Sequence, residues 1–285
     1  MLKPNSNLKI SFEFFPPKNQ EMVDTLWNSI KRIEPLKPQF VSVTYGARGS
    51  TRNLTHDLVK KIKIQTELEP AAHLTCIGSS VEEIDKIATN YWNDGIRHIV
   101  ALRGDVPDEY VQDDREINFA TDLIKILKKN NDFQISVSAY PEGHPDSKNF
   151  EHNFDILKKK IDLGATTAIS QFFFDNNVFL DFLENARKRN INIPIIPGIL
   201  PVTNCKKTLE FCKKMNCKVP NWIKEIFIGL DSDPETRKLV AANIASEQCK
   251  NLLNQGIEEF HFYTLNRTDL SFAICHILGV RTLED

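Results

Sequence analysis

No stretch of this sequence approaches the roughly 18 consecutive apolar residues that a membrane-spanning helix needs. The opening "MLKPNSNLKI" lacks the apolar centre of a signal peptide. Neither sign of charge dominates: 36 Lys and Arg stand against 38 Asp and Glu, for a net charge of −2. The broad basic field that nucleic acid or an acidic membrane surface would require is therefore missing. No two of the six cysteines form Cys-x-x-Cys. Cys212 and Cys217 have no matching Cys or His pair nearby, so free thiols in a reducing compartment are the better reading than zinc. Gly-x-Gly-x-x-Gly and the P-loop pattern are both absent, so any nucleotide is held by other means. The Asn-x-Thr triplets at Asn53 and Asn266 carry no glycosylation message in a chain that is not secreted. What remains is a cytoplasmic globular protein with no nucleic-acid or membrane partner and no metal.

The 285 residues are 41% hydrophobic and 26% charged. Runs rich in Val, Ile, Phe and Thr recur at Lys9–Phe15, Phe40–Tyr45, Ala71–Ile77, His98–Leu102, Gln134–Tyr140, Thr167–Phe174, Ile193–Leu200 and Glu259–Leu265. Between them, stretches such as "VEEIDKIATNYWNDG" carry apolar residues at steps of three and four and end on Gly or Asn, as helices do. Parallel neighbours need helical crossovers. An eightfold alternation in a chain slightly longer than the usual barrel of about 250 residues predicts an α/β fold, a (β/α)8 TIM barrel. No low-complexity linker interrupts it. A single domain over residues 1–285 is expected, with an extra helix and loop near 217–235.

Active sites of such barrels collect at the C-terminal ends of the strands, and polar residues collect there in this sequence. "SFEFFPPK" places one carboxylate, Glu13, among phenylalanines. Alternation puts Ser11 and Glu13 on one side of the strand and Ile10, Phe12 and Phe14 on the other. In an antiparallel sheet Glu13 would face water. In a barrel it faces the mouth, where desolvation favours the neutral acid and leaves a proton to donate. "RGD" at 103–105 ends another strand, either as an ordinary ion pair or as a ligand cradle. A lone His73 on an apolar strand reads first as core, whereas His144, between Gly143 and Pro145, has less core to hide in. The run Lys158–Lys160 reads as a solvated helix face, and a phosphate anchor is the lesser option. "QFFFDNNVF" reads as core apart from Gln171, whose amide could meet a heterocycle with both donor and acceptor groups.

Taken in order, "FEFFPPK", "VTYGARGSTR", "HLTC", "HIVALRGD", "SAYPEGHP", "ISQFFFD", "IIPGILPV", "GLDSDPETRKLVAANIA" and "FHFYTLNR" resemble methylenetetrahydrofolate reductase of the bacterial single-domain type along nearly the whole chain. The resemblance implies a flavoprotein with non-covalent FAD across the strand ends. NADH, or NADPH, would reduce the flavin and leave. Methylenetetrahydrofolate would then be reduced to methyltetrahydrofolate in a ping-pong order, supplying methyl groups for methionine synthesis. It implies that Glu13 is the general acid and that Asp105 lies beside both flavin and folate. Thr44, Tyr45, Ala47, His73, Arg103, Gly104, Ala120, Tyr140, His144 and Lys160 would line FAD. Gln171, Tyr263 and Arg267 would contact folate. The resemblance also implies that the single domain is catalytic, with no regulatory domain, and that the protein forms a homo-oligomer.

Some positions depart from the family pattern. Asn153 stands where an Asp is common, Ile156 where a polar residue is frequent, and Phe119 where a Tyr is familiar. Lys207 replaces a Gln, and the stretch after Asp105 is acidic. Two other functions stay open to the sequence: a pterin-binding methyltransferase barrel, which needs no flavin, and a non-catalytic flavin or folate carrier. A carrier has no use for a carboxylate set among aromatics.

Overall fold

The computed structural model describes residues 8–45, 52–105 and 116–281. Its main sheet is entirely parallel and runs Lys9–Phe14, Phe40–Val43, Pro70–Thr75, His98–Leu102, Gln134–Ala139, Thr167–Ser170, the pieces Ile195–Ile196 and Gly198–Ile199, then Glu259–Tyr263. The two short pieces are one strand interrupted at Pro197, which has no N–H to give a ladder. Ile195 and Ile196 pair with the sixth strand, while Gly198 and Ile199 pair with the last. The last strand in turn pairs with the first, Lys9 opposite Glu259 through Glu13 opposite Tyr263. Eight strand positions thus close into the expected barrel.

Helices fill each crossover, and their ends are written locally. Asn19, Ser80, Asn149, Asp175, Asn204 and Asp233 each accept a backbone N–H of the helix they precede, the usual office of such side chains. Ser80 and Glu83 complete a reciprocal capping box. Leu26, Ile30 and Ile33 bury one face of the first helix, and Ile10, Phe12 and Phe14 on the strand side complete the same core. The connection from seventh to eighth strand carries three helices: Cys205–Lys214, Asn221–Ile226 and Pro234–Asn254.

Strand boundaries depart from the sequence reading most clearly at 167–174, where the strand ends at Ser170. Phe172 and Phe174 leave the sheet and enter a second apolar cluster with Leu200, Val202, Cys212 and Phe227 beneath the seventh-crossover helices. Their apolar character belongs to that layer rather than to the barrel wall.

Inside the barrel the apolar floor is small: Phe40, Ala71, Val100, Ile169 and Ile196, with Leu102 partly buried beside them. Barrel interiors are ordinarily filled by branched aliphatics, but here three histidines and several serines take much of the space. His98 packs edge-on to Phe40 at 4.7 Å and its Nε2 lies 2.7 Å from Ser136 Oγ. His261 stacks on Phe40 at 5.7 Å. Tyr263 arches from the eighth strand over the seventh and donates its hydroxyl to the Ser170 carbonyl at 2.9 Å. Gly198 lies under that arch. A Cβ there would stand 2.3 Å from Ser170 O and 2.5 Å from Tyr263 Cε2, so glycine alone admits the bridge. Gly198→Ala is expected to cost about 1–3 kcal/mol through overpacking. Equilibrium denaturation checks this, and an unchanged midpoint would show that the arch yields without penalty.

Candidate active site

Glu13 stands at the C-terminal end of the first strand, on the interior side as alternation requires. Its backbone carbonyl accepts from Thr264 Oγ1 at 2.6 Å and from Thr264 N at 3.3 Å. Two residues on, Asn266 Oδ1 accepts from Phe15 N and Asn266 Nδ2 donates to Phe15 O, both at 2.8 Å. Asn266 reaches this position at φ 60, beside Leu265 at φ 50, a left-handed conformation that Asn tolerates better than most residues. Ser29 Oγ donates to the Asn266 carbonyl at 2.9 Å, tying the turn to the first helix. The "YTLNR" turn therefore holds the backbone on which the carboxylate is mounted. The sequence reading missed Thr264 and Asn266 because their role is a pairing across the whole chain.

The Glu13 side chain is 21% exposed, wetter than the dry setting expected from its aromatic neighbours, because those phenylalanines point outward into the helix layer. Its Oε2 lies 3.3 Å from His73 Nε2 and 3.9 Å from His261 Nε2. Burial lowers the pKa of His73 despite the carboxylate beside it. His98, one layer deeper, is pushed down to about 3 by burial and by the neighbouring imidazoles. His261 was not singled out in the sequence, although period-two alternation with Glu259 and Tyr263 would have aimed it inward.

Across the mouth lies a cationic group. Arg103 pairs with Asp146 at 2.5 Å rather than with Asp105. Gly104 turns the chain at φ +90 between Arg103 and Asp105, and Asp105 stays exposed on the rim. The His144 ring meets Tyr140 edge-on at 4.6 Å. Its Nδ1 accepts from Asp146 N at 3.0 Å, which in the neutral ring leaves the proton on Nε2. Burial, with Arg103 close by, lowers the His144 pKa. Asn153 Oδ1 accepts from His144 N at 3.0 Å, so this residue shapes the loop.

Lys160 overturns the reading of its run as a solvated face. Lys158 and Lys159 are exposed, but Lys160 is buried with Phe154 and Leu157, one helical turn apart along the same face. Burial, with Arg103 nearby, lowers its pKa to about 8. Its side-chain amine has no hydrogen-bond or ion-pair partner among the described residues. Such a group suits an anionic ligand.

The remaining expected residues divide. Thr44 is half-buried at the end of the second strand, its carbonyl accepting from Thr55 Oγ1 at 2.9 Å. Tyr45 belongs to the core between strands and helices, and its hydroxyl accepts from Arg52 Nε at 2.8 Å. Ala120 is buried at the start of a helix whose N-terminus receives no side-chain cap from Phe119. Gln171 is half-buried, with Oε1 accepting from Phe172 N at 3.1 Å, which leaves its NH2 the freer end. Tyr263 walls the interior and Arg267 is exposed beyond the turn. Ala47 and the acidic stretch after Asp105 lie outside the described residues.

Residues 2–279 match the family described as methylenetetrahydrofolate reductase. The chain is 53% identical over 274 residues to the 5,10-methylenetetrahydrofolate reductase of Pectobacterium carotovorum subsp. carotovorum, covering 96% of this chain and 91% of that protein. The corresponding protein of Escherichia coli (strain K12) is 52% identical over 274 residues, covering 96% and 92%. The Arabidopsis thaliana protein called methylenetetrahydrofolate reductase (NADH) 1 is 35% identical over 284 residues, covering 95% of this chain and 48% of that protein. Among solved structures, a Clostridium thermocellum protein described as binding two copies of 5-methyl-5,6,7,8-tetrahydrofolic acid superposes with a TM-score of 0.63 at 17% identity, covering 95% and 94%. At that identity the likeness is one of fold.

Asn266→Ala removes both bonds to Phe15 and places Ala in a left-handed conformation. A loss of about 2–3 kcal/mol is expected, together with faster hydrogen exchange at the Phe15 amide. Unchanged exchange there would separate the turn from the seating of Glu13.

Proposed function

We infer the function from a premise: the chain belongs to the methylenetetrahydrofolate reductase family and is a reductase of methylenetetrahydrofolate. The reaction uses non-covalent FAD and a pyridine nucleotide in one barrel site, acts in the cytoplasm and supplies methyl groups for methionine synthesis. The observation that carries this reading is Glu13, a carboxyl fixed at the barrel mouth opposite a cationic wall.

The residues suit the cofactor. Lys160 is a buried amine without a partner among the described residues, and it lies near Arg103 and His144. That group would hold the diphosphate, Arg103 and Lys160 by charge and His144 through its Nε2–H. Thr44, Tyr45, Ala47, His73, Gly104, Ala120 and Tyr140 would line the rest of the cofactor. Bound FAD would supply a hydride relay, taking the hydride from the nicotinamide and yielding it to the methylene carbon once the first product has left.

Glu13 gives its proton to the folate nitrogen that departs as the five-membered ring opens. The broken C–N bond's electrons stay on that nitrogen, and the methylene carbon becomes the iminium carbon that accepts the hydride. Asp105 faces the pterin from the rim and bears on the flavin's potential. Gln171 and Arg267 contact folate, and Tyr263 closes the wall. NADH is the favoured reductant, in keeping with the name of the Arabidopsis relative. The working unit is a homo-oligomer of this single barrel.

Glu13→Gln is expected to leave flavin reduction by NADH nearly intact and to slow the folate half-reaction at least roughly a hundredfold. Anaerobic stopped-flow on each half separates the two, and near-normal folate reduction would remove Glu13 from this role. Lys160→Met is expected to weaken FAD binding roughly 10- to 100-fold through the lost charge-assisted contact. In the wild type, Lys160 releases its proton as pH rises through about 8, and a bound phosphate would restore it. FAD affinity should therefore fall above that pH, with proton uptake on binding. Calorimetry in buffers of different ionisation enthalpy reads this. Equal uptake in Lys160→Met would assign the proton elsewhere.

A further inference from the structure

Beneath the Glu13 carboxyl the barrel holds a hydrogen-bonded couple that the proposed chemistry does not yet use. Ser11 Oγ lies 2.8 Å from His261 Nδ1 and also contacts the Phe260 carbonyl at 3.5 Å. Ser11 and His261 are both fully buried. A carbonyl can only accept, and a serine hydroxyl has one hydrogen. When both contacts are hydrogen bonds, Ser11 donates to Phe260 O and accepts from Nδ1–H of His261. The proton of the neutral ring is then on Nδ1, and Nε2 carries a lone pair. That Nε2 is buried, has no hydrogen-bond partner among the described residues and faces Glu13 Oε2 at 3.9 Å. His73 Nε2 is likewise buried without a hydrogen-bond partner among the described residues, 3.3 Å from the same oxygen.

We propose that His261, keyed by Ser11, is a positioning residue whose Nε2 lone pair faces the Glu13 carboxyl at 3.9 Å, favours its neutral form and so holds the acid ready to donate its proton. This rests on the reading of Glu13 as the general acid. A lone pair aimed at a carboxyl favours its neutral form, because a carboxylate there would meet a second lone pair. His73 faces the same oxygen from the third strand, and burial disfavours its cation. No imidazolium is thereby supplied from that side to draw the proton off.

Among the described residues, few other groups surround the couple. Tyr263 lies beside Glu13 on the eighth strand, and Ser42 lies opposite it on the second. His98 stands behind the two imidazoles on the fourth strand. Glu259 lies below His261 on its own strand with Lys9 alongside, and burial holds the Glu259 carboxyl up. Burial likewise keeps Tyr263 a neutral phenol. Its hydroxyl is already given to Ser170 O, so it does not compete for the Glu13 proton.

The test uses the full-length holoenzyme and three variants. His261→Asn removes the atom at Nε2, His261→Gln keeps an amide carbonyl able to reach that place, and Ser11→Ala frees Nδ1. In single-turnover oxidation of the reduced enzyme by methylenetetrahydrofolate, the alkaline limb of the pH–rate profile should move to lower pH in His261→Asn. A move of about one unit corresponds to roughly tenfold slower reaction on that limb. Ser11→Ala should move it the same way by less, and His261→Gln should restore part of it. A purely structural role would lower the rate without moving the limb.

A second readout needs no turnover. In protein carrying carboxyl-labelled glutamate, the Glu13 carbon resonance, assigned by its loss in Glu13→Gln, should titrate at lower pH in His261→Asn than in wild type. This arm stands even where folate reduction itself fails. A titration that is unchanged or moves upward overturns the proposal. If His261→Asn does not fold, Ser11→Ala decides by the same criterion.

Discussion

The first and last strands lie side by side, Ser11 against His261 and Glu13 against Tyr263, and the seating of Glu13 depends on that seam. It joins residues about as far apart in sequence as the chain permits. The loop-closure entropy of bringing them together must be offset by what the seam buries. Phe12 and Phe262 stack across it at 5.6 Å on the helix side. On the mouth side Thr264 and Asn266 grip the backbone of Glu13 and Phe15. One seam thus closes the barrel, seats the acid and places an imidazole below it.

The interior shows how a fold usually filled with aliphatics carries chemistry instead. Burying three histidines and several serines is costly unless each polar atom is met. Much of this cost is offset internally, as with His98 and Ser136 or Ser11 and His261. Among the described residues, two buried nitrogens without a hydrogen-bond partner, His73 Nε2 and His261 Nε2, converge on one Glu13 carboxyl oxygen. On the opposite wall Lys160 sits buried near Arg103 and His144. On the proposed reading, an acid on one side and a cationic cradle on the other would divide the mouth between proton donation and anion binding.

Much of this was legible in the sequence, and the rest was hidden for definite reasons. The strands announced themselves by β-branched and aromatic runs, and alternation alone gave the phase of Glu13. Where the apolar run at 167–174 continued past its strand, the pattern did not distinguish a barrel wall from a second core layer. Lys160 was read with its wet neighbours. Only its phase with Phe154 and Leu157 separates it from Lys158 and Lys159. Ser11 with His261, and Asn266 with Phe15, are tertiary pairings with no local signature. Asn266 first stood out as part of an Asn-x-Thr triplet without meaning, yet its left-handed backbone and double hydrogen bond are what its amide serves.

The central claim is that one mouth, with one acid and one cationic wall, serves two substrates in turn. Its most direct test is an anaerobic titration of the purified FAD-bound protein. Stoichiometric NADH should bleach the flavin with no folate present. After the nicotinamide is removed, methylenetetrahydrofolate alone should restore the colour and be recovered as methyltetrahydrofolate in equal amount. Flavin that resists NADH, or folate that is reduced only when both substrates are present together, would contradict the account.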